Sequence, residues 1–185
     1  MPDIWLMRHG AYDGHRPGLH APSDAPLTPE GRQHLISALP LPAGITGIIT
    51  SPLPRARQTA EVLRDLTGLT LLDASDLLAE WRAPTCVLNR TPDTYPPAYR
   101  AWRTLRTTSP DLACEDGESL SALHSRATRC VAYLHDLAAR QQGPLLAVSH
   151  KLLLGVLTHL PQGPAAFETA SRTPWPFATT RPLHL

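Results

Sequence analysis

The chain has 185 residues, 42% of them hydrophobic, and a formal net charge of +1. That size and apolar content support a buried core, which excludes a disordered tether and fits one domain spanning residues 1–185. The near-neutral balance leaves no basic footprint for nucleic acid or an anionic membrane surface. Of the 17 basic residues only Lys151 is a lysine, and the arginines that make up the rest can grip phosphate in a bidentate manner. Three scattered cysteines, Cys86, Cys114 and Cys130, form neither a disulfide framework nor a zinc knuckle, so a reducing compartment is expected. Ile4-Trp5-Leu6-Met7 follows no basic n-region, and the apolar stretch Leu152 to Leu157 is too short to cross a bilayer. A cytoplasmic enzyme or binding domain is the expectation.

Taken in chain order, residues 3–7 read as a buried strand that ends at Arg8-His9-Gly10. Residues 11–27 carry repeated Gly and Pro and read as an irregular loop. Thr28-Pro29 starts a helix that runs to about Leu39 and stops before Pro40 and Pro42. Ile45 to Thr50 is a second buried strand. Ser51 is expected to cap the next helix, with Pro52 at its first position and an end near Leu66. Leu69 to Leu72 reads as a third strand, residues 82–97 as a loop, and residues 95–106 as a helix. Ser119 caps the longest helix, to about Gln141, whose core face is Leu120, Leu123, Ala127, Val131, Leu134 and Ala138. Leu145 to Val148 is a fourth buried strand, followed by a helix from Lys151 to His159. The proline-rich tail after Pro161 holds one edge strand near 178–184.

Strands alternating with helices predict a three-layer α/β/α sandwich around a largely parallel sheet, with a small helical and loop cap insertion at about 82–114. In such sheets ligands bind beyond the carboxyl ends of the strands. Arg8-His9, the segment from Ser51 to Arg57, and Ser149-His150 each follow a strand, so three loops bring two arginines and two histidines to one edge. A phosphoryl group in transfer spreads charge over three equatorial oxygens and needs donors around them plus an in-line nucleophile. Two guanidiniums and an imidazolium can form that cage without a metal. A histidine kept neutral by nearby arginines can attack phosphorus. A carboxylic acid must then protonate the leaving oxygen and later activate water.

Leu6-Met7-Arg8-His9-Gly10 resembles the signature of the histidine phosphatase superfamily, the phosphoglycerate-mutase-like group. Thr50-Ser51-Pro52-Leu53-Pro54-Arg55-Ala56-Arg57-Gln58-Thr59-Ala60-Glu61 resembles its second motif, Gly117-Glu118-Ser119 a third and Val148-Ser149-His150 the last. These run in family order over roughly residues 3–160, and the ordered set is far more specific than Arg-His-Gly alone. The resemblance implies His9 as nucleophile, Arg8, Arg55 and His150 as phosphate ligands, and an acid/base after the third strand. Leu77-Leu78-Ala79-Glu80 aligns there, which makes Glu80 the expected acid/base, with Asp76 and Glu118 as fallbacks. Arg57 competes with Arg55, but the motif register favours Arg55. Glu118-Ser119 is equally well explained as a helix start. His15 and His20 are expected to be solvated at the mouth of the site.

Departures from the family pattern bear on substrate rather than chemistry. Ala11-Tyr12 follow Arg-His-Gly, His34 stands in place of a frequent Gln, and Arg82-Ala83-Pro84 replaces an aromatic-acidic-glycine stretch. Lys151 sits where many relatives have Gly, either facing solvent or adding an ammonium to the anion site. Trp81, Tyr95, Tyr99 and Trp102 give the cap an aromatic character, best read as packing onto the core. The expected function is metal-independent and cofactor-free hydrolysis of a small phosphorylated metabolite through a phosphohistidine on His9. The alternatives are a phosphoglycerate-type mutase, a phosphohistidine protein phosphatase and an inactive phosphate-binding scaffold. No nucleic acid, membrane or metal partner is expected, and oligomeric state is not legible.

Overall fold

The computed structural model describes residues 3–16 and 18–184. Four parallel strands and one antiparallel edge strand form a sheet in the order β3-β2-β4-β1-β5. They are β1 (Ile4–Arg8), β2 (Gly47–Thr50), β3 (Thr70–Ala74), β4 (Leu145–Ser149) and β5 (Thr180–Pro182). The central strands are short continuous apolar runs because both of their faces are covered. Along β1 the two-residue side-chain period sends Ile4 and Leu6 into one apolar cluster and Met7 into the other. Helices α1 (Pro29–Ser37) and α2 (Pro54–Thr67) cover the Met7 face. On the other face lie α3 (Pro97–Leu105), α4 (Leu120–Gln141), α5 (Lys151–Thr158) and α6 (Ala166–Arg172). The expected α/β sandwich is the architecture observed.

Local chemistry sets most boundaries. Thr28 Oγ1 accepts the Gly31 amide and caps α1, and Gly68 closes α2 in the left-handed conformation, φ 72°. Ser119 caps α4 by accepting the Ala122 amide. Two expectations need correction. The helix after β2 starts at Pro54 with Leu53 at its cap position, so Ser51 is not its cap. The tail also contains α6, which the Pro161, Gly163 and Pro164 breakers conceal. This short helix is set by packing: a β-carbon on Gly155 of α5 would meet the Ala170 side chain at 2.5 Å. Buried Phe167 and Ala170 secure its other contacts.

Residues 82–114 form two short 3-10 turns, Thr85–Val87 and Pro92–Thr94, and then α3. Trp81 and Trp102 stack at 5.8 Å, Tyr99 and Trp102 at 5.2 Å, and Phe167 meets Trp81 edge-on at 5.1 Å. These rings pack the segment onto the core, as expected, and onto the unexpected α6 through Phe167. His20 is corrected: it is partly buried among Trp81, Tyr95 and Tyr99 rather than solvated. The first loop is stitched to this segment by the Asn89 amide on the His20 carbonyl, 3.2 Å, and by Tyr95 Oη on the Gly18 carbonyl, 3.3 Å.

Candidate active site

The carboxyl ends of β1, β2 and β4 bring Arg8, His9, Ser51, Arg55 and His150 together. His9, Arg55 and His150 are each at most 4% exposed. Close approach of the backbone makes this possible: a β-carbon on Gly10 would lie 2.7 Å from the Gly31 carbonyl oxygen, so only glycine lets the loop after β1 rest on α1.

The hydrogen bonds of His9 define its chemistry. Nδ1 lies 2.7 Å from the Gly10 carbonyl. A carbonyl can only accept, so Nδ1 carries the proton and Nε2 keeps its lone pair. Arg55 Nε donates to that Nε2 at 3.3 Å. Thr59, one turn along α2, completes the frame. Its hydroxyl donates to the Arg55 carbonyl at 2.7 Å and accepts the Gly10 amide at 3.0 Å. Burial above all, then the positive charge of Arg55, holds the His9 pKa well below 6.5, with Arg8 and His15 adding to the effect and the Gly10 carbonyl opposing it. His9 is therefore a neutral imidazole whose Nε2 is unprotonated and accepts only the Arg55 N–H.

His150 stands beside it, ring centroids 4.9 Å apart. Its Nε2 lies 2.8 Å from Ser51 Oγ. Ser51 is fully buried, and its Oγ already accepts the Leu53 amide at 3.3 Å. Among the described residues His150 Nε2 is the one acceptor in reach of the Ser51 hydroxyl proton, so Ser51 donates to it and the proton of the ring stays on Nδ1. Nδ1 is buried without a partner. Burial, then His9, Arg55 and Arg8, push the His150 pKa well below 6.5, which favours the neutral ring with Nδ1–H as a donor. Arg8 also presents a buried, unpartnered Nε. Orphaned buried donors are costly unless a ligand meets them.

Glu80 is held differently. Its Oε1 accepts the Trp81 and Leu153 amides at 2.9 and 3.0 Å, and its Oε2 accepts the Leu152 amide at 3.2 Å. The carboxyl group thus sits on the N-terminus of α5, where it accepts the first free amides of that helix. Burial lowers the pKa of Arg8 and of Arg55, and the negative charge of Glu80 opposes this at both, so Glu80 acts electrostatically on the cage. Arg126 clamps the loop that carries Glu80. It donates to the Leu77 and Ala79 carbonyls at 3.1 and 2.7 Å and to the Glu80 carbonyl at 3.4 Å. Its Nε and Nη2 also grip both oxygens of Glu118 at 2.8 Å. Glu118 therefore lies behind the loop rather than in the cage, and its backbone carbonyl accepts the Trp81 indole N–H at 2.7 Å. Asp76 is exposed on the loop, and Arg57 is exposed on α2.

Lys151 does not face solvent freely. Its Nζ donates to the Ser171 carbonyl at 2.9 Å. Burial and then Arg8 lower its pKa while Glu80 opposes, which places its charge within electrostatic reach of the site. Ser51 and Thr59 lie within the second motif without a role assigned from sequence, and Arg126 lies outside the motifs; the fold makes all three part of the site. For Thr59 the available signal is its i+4 spacing from Arg55 on one helix face. Ser51 and Arg126 meet their partners only across the fold. Among the described residues no group of three or more His, Cys, Asp or Glu side chains is arranged to hold a metal ion, and no helix is long and apolar enough to cross a membrane.

Comparison with known proteins agrees with this geometry. The chain is 33% identical over 162 residues to a probable phosphoglycerate mutase of Yersinia pestis, covering 85% of this chain and 73% of the relative. Its fold superposes on the α-ribazole phosphatase of Shigella flexneri with a TM-score of 0.69 and 25% identity, covering 97% and 95% of the two chains. The protein of a Mycobacterium tuberculosis open reading frame gives a TM-score of 0.67 at 27% identity, over 96% and 88%. The family model for the histidine phosphatase superfamily, branch 1, matches residues 4–172. With Arg8-His9, Arg55 and His150 gathered at one sheet edge and that model spanning nearly the whole chain, the protein belongs to the histidine phosphatase superfamily.

Proposed function

We propose that this protein hydrolyses a small phosphorylated metabolite through a phosphohistidine on His9, without a metal or cofactor. The observation that carries this reading is the proton on His9 Nδ1, fixed by the Gly10 carbonyl, which leaves the Nε2 lone pair inside a cationic, buried site. Nε2 attacks phosphorus and the bond to the leaving oxygen breaks. Arg8, Arg55 and the Nδ1–H of His150 bind the equatorial oxygens and offset their charge. Glu80, entering protonated, gives its proton to the leaving oxygen. Oε2 has only the Leu152 amide on it and is the oxygen with room for that proton. In the second half Glu80 takes a proton from water, the water oxygen attacks phosphorus, and the P–N bond breaks. The electron pair returns to Nε2 and orthophosphate leaves. Residues 82–114 cap the leaving-group side, and Lys151 adds its charge near Arg8.

The Yersinia relative's name favours a second reading, a mutase, in which the phosphoryl group returns to a phosphoglycerate instead of passing to water. Both begin at His9. The test is p-nitrophenyl phosphate hydrolysis with EDTA present throughout, by wild type and His9→Ala. Wild-type turnover should survive the chelator and fall roughly ten-thousand-fold or more in the variant. An acid-labile phosphoenzyme should be trapped from wild type alone. Full activity in His9→Ala sinks the nucleophile assignment. Phosphoryl return to 3-phosphoglycerate faster than release to water decides for the mutase.

A further inference from the structure

Arg8 and Arg55 each lie over the face of an aromatic ring. Arg8 Cζ stands 3.8 Å from the centroid of Phe177, and Arg55 Cζ stands 5.0 Å from that of Tyr12. The two rings meet edge to face at 5.9 Å, and both border His9, at 5.4 and 5.8 Å. Phe177 belongs to neither apolar cluster and is only partly buried, so core packing does not account for it.

The tail is shaped to deliver Phe177. Trp175 is buried, and its indole N–H closes a turn on the Thr179 carbonyl at 2.9 Å. Within that turn Ala178 adopts φ 55°, a region that costs a side-chain-bearing residue and persists where surroundings enforce it. What enforces it is β1 itself: the Ala178 amide donates to the Arg8 carbonyl at 3.0 Å, and the Arg8 amide donates to Thr179 at 3.3 Å. The Trp175 carbonyl then accepts Arg8 Nη1 at 2.7 Å. One short turn therefore holds Arg8 by its backbone, by one nitrogen and by its flat face.

We propose that Phe177, carried by this turn, is a positioning residue that fixes the Arg8 guanidinium for phosphate. The proposal rests on the reading that Arg8 binds the phosphoryl group. A carboxylate would also anchor a guanidinium, but it would occupy donor N–H groups and cancel the charge that the phosphate needs. An aromatic face anchors the cation and leaves both intact. Phosphate then meets a preorganised donor fork instead of a mobile side chain. This ties the carboxyl-terminal tail, beyond the segment that matches the family model, to the strength of phosphate binding.

The experiment measures KM for p-nitrophenyl phosphate and inhibition by orthovanadate in wild type, Phe177→Leu, Phe177→Met, Phe177→Tyr and Arg8→Lys, and in Arg8→Lys with Phe177→Leu. Losing the ring should raise KM and the vanadate inhibition constant about 5- to 10-fold, with kcat changed less. Phe177→Tyr should restore both to within about twofold. Far-UV circular dichroism identifies any variant that does not fold, and Phe177→Met repeats the ring loss at similar volume. In the Arg8→Lys background Phe177→Leu should add little, because the two act as one unit. Unchanged constants in folded Phe177→Leu and Phe177→Met overturn the proposal, as does a full additional loss in the double variant. Wild-type vanadate affinity in Arg8→Lys instead overturns the phosphate role of Arg8, and this proposal with it.

Discussion

Arg8, His9 and His150 leave the sheet at or just beyond the ends of β1 and β4, whereas Glu80 lies well past the end of β3 on a segment with no strand beneath it. The first group is placed by the parallel ladder, in which Arg8 pairs with Ser149 and β4 lies between β1 and β2. Glu80 is placed by hydrogen bonds made across the fold: the Leu152 and Leu153 amides on its carboxylate, Arg126 on the carbonyls of its loop, and Ser149 Oγ on the Leu78 carbonyl at 2.7 Å. A side chain carried by a buried strand end can be changed with little effect on its neighbours. One carried by a hydrogen-bonded loop shares its position with every group that holds the loop.

Changes to the acid and to its supports should separate the two regions. Glu80→Gln should cost about 10²- to 10⁴-fold in kcat on an alkyl phosphate. It should cost much less on 2,4-dinitrophenyl phosphate, whose leaving group needs no proton. Equal losses on both substrates would show that Glu80 is not the acid. Arg126→Met removes the loop clamp and leaves Glu118 partly buried without its partner. It should lower stability by about 3 kcal/mol, read by urea unfolding, and should reproduce the leaving-group dependence of Glu80→Gln in weaker form. If only stability changes, the clamp supports the fold and not the acid.

Ser51→Ala tests the strand-end region. Without the serine hydroxyl the His150 tautomer is no longer enforced, so phosphate affinity should fall about tenfold, and the buried His150 Nε2 left without a donor should lower stability in urea by no more than about 1–3 kcal/mol. A large loss of stability would place Ser51 with the loop-type residues instead. The smallest expected effect is on pH dependence. The folded pKa values of His9 and His150 are held below the unfolded value of 6.5, so below that pH the unfolded chain binds more protons. Stability should therefore be complete above about pH 6.5 and decline as pH falls toward the folded values. The acid limb of kcat/KM should also lie below 6.5. A limb at or above 6.5 would contradict a neutral, buried His9.

The same contrast explains what could be read in the chain. Arg8, His9, Arg55 and His150 are legible because each follows a short apolar run, and buried parallel strands announce themselves by composition. Glu80 is legible only by alignment within a motif, since nothing local separates it from Asp76. Ser51 looks like a helix cap by local rules, yet its hydroxyl is committed to His150, far away in sequence. Helix α6 is hidden by three breaker residues and forms because Gly155 admits Ala170.

The order of the strands and of every helix but α6 along the chain, the covered faces of the sheet, and the edge at which two arginines and two histidines meet follow from the amino-acid sequence, because hydrophobic periodicity and turn chemistry are local properties. The tautomers of His9 and His150, the helix-end seat of Glu80, the Arg126 clamp and the ring beneath Arg8 were decided by the tertiary structure alone. Each depends on a donor, acceptor or aromatic face brought in from a remote part of the chain, and only the packed fold fixes those distances.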